Sequence, residues 1–114
     1  MRIYRLMLLF ILSMLFVETV VAASGSTTLL ATSEPLAGGV TADLFLEVKP
    51  GTGKIFIESF PLTKVDTQIS TRFAKEVACS YLGASCHELD FFYTIKADAV
   101  IIGGPSAGAA MGAL

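Results

Sequence analysis

The sequence predicts an α+β fold: a mixed sheet with helices on one side. Residues 40–48 and 54–59 alternate apolar and polar side chains at the two-residue period of a half-buried strand. Ile69, Phe73, Val77 and Tyr81 recur at the four-residue spacing of a helix face. Apolar residues return at 91–95 and 99–102, ahead of a glycine-rich turn and a run of small helix formers. The predicted order is strand, strand, helix, strand, strand or loop, then a helix start. A chain of 114 residues has room for one domain.

The N-terminus comes first and stands apart. Arg2 and Arg5 precede an apolar run from Leu6 to Val17, interrupted only by Ser13, and Val20-Val21-Ala22-Ala23 closes it with small residues. A basic start, an apolar middle and a small-residue exit over residues 1–23 predict a secretory signal peptide. The competing reading is an uncleaved membrane anchor through residues 6–23, which would place Glu18 inside the bilayer, at a cost of about 2.5–3.5 kcal/mol near the centre. Either way the remainder is expected outside the cytoplasm.

Residues 24–37 are rich in Ser, Thr, Gly and Ala and read as a linker or a ragged first strand, so the domain is expected over 38–114. In the next segment Ala42, Leu44, Leu46 and Val48 share one face, with Asp43, Phe45 and Glu47 on the other. Lys49-Pro50-Gly51-Thr52-Gly53 is a turn, and Ile55 and Ile57 resume the alternation, which together predict a β-hairpin. Asp66 and Thr67 are the N-cap candidates of the following helix, and Gly83 ends it. Its Ile69–Tyr81 stripe, widened by Ala74 and Ala78, is expected to pack in the core, with Arg72, Lys75 and Glu76 turned away. Phe91 to Lys96 predicts another strand, and Ala99 to Ile102 either extends it or forms a separate one past Asp98.

Charge and cysteine content exclude several functions. The chain carries 8 Lys/Arg against 10 Asp/Glu, and without residues 1–23 the balance is six against nine, a net charge of −3. There is no basic stripe interleaved with aromatics, so nucleic acid is not an expected partner. Cys79 and Cys86 are spaced so that a chain turning at Gly83 brings them together as a short-loop disulfide; the alternative is two small buried side chains. His87 is the lone histidine and there is no second cysteine pair, so no metal site is expected. No cofactor is expected either.

The chemistry concentrates in Gly103-Gly104-Pro105-Ser106-Ala107-Gly108. A serine on a glycine turn between strand and helix is exposed for attack, and nearby backbone N–H groups can hold a developing oxyanion. Four readings compete. Ser106 is a nucleophile activated by a lysine; or Gly104 to Gly108 is a G-x-S-x-G elbow of the esterase type that needs a downstream acid and histidine. The third is a phosphate cradle, weak without a G-K-[ST] string. The fourth is a tight turn of small residues whose serine caps a helix.

Residues 38–114 resemble the proteolytic domain of the Lon peptidases, in particular the membrane-anchored or exported Lon-like serine proteases of archaea. The resemblance is carried by Gly103-Gly104-Pro105-Ser106-Ala107-Gly108, by the segment ending Ile57-Glu58-Ser59, by the helix over 67–82 and by Phe91-Phe92-Tyr93-Thr94-Ile95. It implies a Lon catalytic-domain-like fold, incomplete at the C-terminus, and a serine endopeptidase acting through an acyl-enzyme. By that resemblance Ser106 is the nucleophile, and the backbone around Gly103, Gly104, Pro105 and Ala107 holds the oxyanion. The expected substrate is a polypeptide, and the expected partners are further copies of the chain or the missing C-terminal part.

Two departures stand out. Many cytoplasmic relatives carry an acidic residue where this chain has Gly103. The family's general-base lysine falls beyond Leu114, and none of Lys49, Lys54, Lys64, Lys75 or Lys96 matches its position, so the chain alone is expected to be inactive. No nucleotide-binding loop is present, so no nucleotide is expected.

The other polar candidates have ordinary readings. His87 beside Glu88 and Asp90 reads as a solvated turn, Glu47 and Glu58 as outward charges on strands, and Lys54 and Lys64 as surface residues. Asp98 is the candidate for orienting the serine loop through hydrogen bonds to its backbone. A different class of function, a non-catalytic exported domain that binds extended peptides at a sheet edge, fits the same fold.

Overall fold

The computed structural model describes residues 1–14, 22–34, 38–104 and 107–114. Its elements are α1 (Arg2–Met14), β1 (Ala23–Glu34), β2 (Gly38–Pro50), β3 (Ile55–Thr63), α2 (Val65–Leu82), a 3-10 turn (Cys86–Glu88), β4 (Leu89–Gly103) and α3 (Ala107–Ala113). The fold is α+β with one mixed four-stranded sheet, ordered β1-β2-β4-β3. β2 runs antiparallel to β1 and to β4, whereas β3 runs parallel to β4.

That order corrects two expectations. Of the two readings of residues 24–37, the strand holds for 23–34, which pair with β2 from Ala23↔Val48 to Ser33↔Gly38, so the sheet begins before residue 38. The hairpin is therefore β1–β2. β2 and β3 do not pair, because β4 lies between them, with Leu46↔Tyr93 on one side and Ile57↔Tyr93 on the other. Alternation reports a half-buried strand whichever neighbour it has. A helix of 18 residues between β3 and β4 supplies the long crossover that a parallel pair requires.

The connection from β2 to β3 must then cross two strand spacings, about 10 Å, and four residues suffice. The start of β4 holds it in place. Asp90 accepts the backbone N–H groups of Thr52 (2.8 Å) and Lys54 (2.9 Å), Gly51 N donates to Glu88 O (2.8 Å), and Phe91 N donates to Lys54 O (2.9 Å). These bonds hold the Asp90 carboxyl below its ordinary pKa, the Lys54 and Thr52 amides being the main cause. A Cβ on Gly51 would run into the Asp90 carboxyl, and Gly53 takes a positive φ of 85°.

The core lies on one sheet face. Leu29, Ala42, Leu44, Leu46, Phe91, Tyr93, Ile95 and Ile102 are buried there beneath Ala74 of α2 and Ala107 and Met111 of α3. Burial also raises the Tyr93 pKa. The opposite face is open, and Phe56 and Phe92 stack on it with centroids 4.6 Å apart.

Helix α2 meets the core with an unexpected side. Ile69, Phe73, Val77 and Tyr81 are all exposed, Tyr81 at 89%, while Thr67, Thr71, Ala74 and Lys75 are buried. Both sets repeat at the helical period, so the sequence pattern alone does not choose between them. Close packing chooses the smaller side chains: Thr71 Oγ1 donates to Thr67 O (2.8 Å) and lies 3.1 Å from Met111 Sδ. Lys75 turns inward, its Nζ donating to Gly53 O (2.9 Å) above the Phe91 ring. Gly83 ends α2 in the left-handed region, as expected, but the helix begins at Val65 with Lys64 as N-cap. Asp66 lies one residue inside.

Cys79 and Cys86 are joined in a disulfide that ties the end of α2 to the 3-10 turn. Residues 91–102 form one continuous strand with Asp98 inside it, and β3 shifts register between Phe60 and Leu62 to follow it. Part of the expected signal or anchor segment, 15–21, lies outside the described residues. Among the described residues no helix is long and apolar enough to cross a membrane.

Candidate functional site at the end of β4

Pro105 and Ser106 lie outside the described residues; the backbone on either side of them is described. β4 brings Gly103 to the end of the sheet, where it pairs with Thr32 of β1, and α3 begins at Ala107. The six-residue motif therefore joins the end of a strand to the start of a helix.

Three hydrogen bonds, one from β1 and two from the start of α2, hold the end of β4. The Thr32 hydroxyl of β1 donates to Gly103 O (3.0 Å). Lys64 N, at the start of α2, donates to Ile102 O (3.0 Å). Asp66 of α2 accepts Gly104 N–H on Oδ2 (3.3 Å), while its Oδ1 accepts Thr67 N–H (2.8 Å). Gly104 has φ 126°, a backbone conformation that side-chain-bearing residues rarely adopt.

The far side of the motif is equally packed. Ala107 and Met111 are buried, a Cβ on Gly108 would stand 3.4 Å from Ser70 Cβ, and one on Gly112 would stand 3.5 Å from Ala74 O. Small residues let α3 lie close against α2.

Gly103 has a local steric explanation. A Cβ there would meet Lys64 Cδ at 2.7 Å, so the Lys64 methylenes fill the space that a larger residue would need. Lys64 is thus half-buried against the motif, not a plain surface lysine.

The remaining sequence candidates are elsewhere. Asp98 is exposed beside Val40, Asp43 and Lys96, and Asp66 makes the loop contact expected of it. Asp66 was visible only as a capping candidate, because its bond to Gly104 spans 38 residues. His87 and Glu88 are exposed in the 3-10 turn by the disulfide, and Lys54 is exposed on the crossover loop at the same end of the sheet. Glu47 pairs with Lys49 (2.6 Å) on the open face, and Glu58 is exposed on β3. Among the described residues no cluster of His, Cys, Asp or Glu is suited to hold a metal ion.

No protein-family model matches the chain, and no curated protein matches it.

Proposed function

We propose that this chain is the nucleophile-bearing portion of a Lon-like Ser-Lys endopeptidase, exported or membrane-tethered, with Ser106 as the nucleophile and a Lon-type catalytic fold that a C-terminal part completes. The observation that supports the proposal is that the motif links the end of β4 at Gly103 to the start of α3 at Ala107, with the Gly103–Gly104 side held from β1 and α2. In this reading the oxyanion is held by backbone N–H groups of the loop around Ser106, but not by Gly104, whose N–H is donated to Asp66, nor by Pro105, which has none. The basic and apolar pattern of residues 1–23 supports export.

A serine hydroxyl needs a base. In this reading the lysine comes from outside residues 1–114, and its absence costs about 10²–10⁴-fold in rate. A small primary amine in solution can stand in for it. A fluorophosphonate probe is expected to label Ser106 slowly in the chain alone and faster as propylamine is added, with no label at that position in Ser106→Ala. Rapid labelling without amine would contradict the need for an outside base. No labelling at any amine concentration would contradict the nucleophile.

One observation favours the second reading, a peptide-binding module. β3 is an edge strand, and it runs alongside the part of β4 that leads to the motif, with Leu62↔Ile101 and Thr63↔Ile102. An extended polypeptide added at that edge would reach the exit of β4, as a substrate or as a bound ligand. Peptide binding retained by Ser106→Ala, with no amine-dependent labelling of the wild type, would favour the module.

A further inference from the structure

We infer that Asp66 is a positioning residue at the exit of β4, fixing the orientation of the Gly103–Gly104 peptide plane. The inference rests on the reading of Ser106 as nucleophile for its functional meaning, though not for its geometry. The carbonyl of Gly103 and the N–H of Gly104 belong to one planar unit. Thr32 Oγ1 donates to that carbonyl at 3.0 Å, and Asp66 Oδ2 accepts that N–H at 3.3 Å, so the plane is held from both sides.

A flip of this peptide would reverse both contacts. Its carbonyl would face the Asp66 carboxylate and its N–H would face away, which electrostatic repulsion opposes. Glycine on both sides leaves the backbone little intrinsic preference, so the choice falls to the partners. Gly104 precedes Pro105 and Ser106 in sequence, so this plane is the last one held by named contacts before them.

A carboxylate is required for this task. Oδ1 is already committed to the Thr67 N–H of its own helix at 2.8 Å while Oδ2 takes Gly104. An asparagine offers one acceptor oxygen, and its amide nitrogen would confront the remaining N–H. The first turn of an 18-residue helix is also where a negative side chain is favoured.

The test uses the full chain, labelled with ¹⁵N, as wild type, Asp66→Asn and Asp66→Ala. Two quantities are measured: the shift and hydrogen exchange of the Gly104 amide, and the propylamine-supported rate of fluorophosphonate labelling at Ser106. Both variants should move the Gly104 resonance and speed its exchange about two- to fivefold, the amount expected for one lost exposed hydrogen bond. Amides of β2 and of 71–82 should stay put, and labelling at Ser106 should fall several-fold. Asp66→Asn preserves size, so it carries the test if Asp66→Ala fails to fold.

An unchanged Gly104 amide in both variants would overturn the inference whatever the labelling does. A shifted Gly104 with unchanged labelling would overturn the positioning role. A shifted Gly104 with no labelling even in the wild type would support the peptide clamp and reject the nucleophile.

Discussion

The two ends of the β3–α2–β4 unit use the same device with different redundancy. At one end, Asp90 grips the loop before β3 through two amides at 2.8 and 2.9 Å. Gly51 N–Glu88 O, Lys75 Nζ–Gly53 O and the Cys79–Cys86 disulfide reinforce it. At the other end, Asp66 spends one oxygen on its own helix and gives the loop after β4 a single bond at 3.3 Å. The first end sets the strand order and is over-determined. The second end presents the candidate serine and rests on few contacts, so a small change there should alter chemistry more than stability.

The largest expected stability effect belongs to the redundant end. Removing the disulfide with Cys79→Ser/Cys86→Ser should lower unfolding free energy by about 2–3 kcal/mol, given the short loop it closes, as measured by urea denaturation. Amine-supported labelling of Ser106 should persist wherever the variant is folded. A loss of labelling in the folded variant would break the separation of the two ends.

Next come the paired glycines. Gly51→Ala drives a methyl group into the Asp90 carboxyl and should cost about 1–3 kcal/mol, whereas Gly103→Ala meets methylenes of Lys64 that can swing aside and should cost about 1 kcal/mol or less. Equal costs would mean that the two loops are held alike.

Acid probes the redundant end through Asp90. Because folding lowers the Asp90 pKa, the stability it contributes is present above the unfolded carboxylate value of about 3.9 and is lost as pH falls through the lower folded value. The urea midpoint of the wild type should therefore drop more between about pH 6 and pH 3 than that of Asp90→Asn. Identical drops would show that the crossover loop does not draw on that charge.

The smallest stability effect is expected at Asp66. Asp66→Asn should cost only about 0.5–1 kcal/mol in urea denaturation while slowing the amine-supported labelling of Ser106. A stability loss as large as that of the disulfide variant would place Asp66 in the scaffold instead.

Much of this arrangement was legible in the residues. Strand alternation in β2, β3 and β4, the stop at Gly83, the nearness of Cys79 and Cys86 and the succession of strand and helix on either side of 104–106 all follow from local chemistry. Strand order did not, because Ile55 and Ile57 alternate identically beside β2 or beside β4. The buried side of α2 was missed for a similar reason. Ile69, Phe73, Val77 and Tyr81 form the more apolar stripe, yet the Thr67–Thr71–Ala74 side admits the closer approach of α3. Asp66 was hidden by distance in sequence, since only the crossover brings the start of α2 to the end of β4.

Internal competition between serines tests the central proposal most directly. The folded chain is exposed to a fluorophosphonate with propylamine, and adducts at Ser106 and at the exposed Ser80 are quantified in the same sample by peptide mapping. The account predicts that Ser106 reacts many times faster and that amine widens the gap. Equal labelling of the two serines, with or without amine, would contradict it.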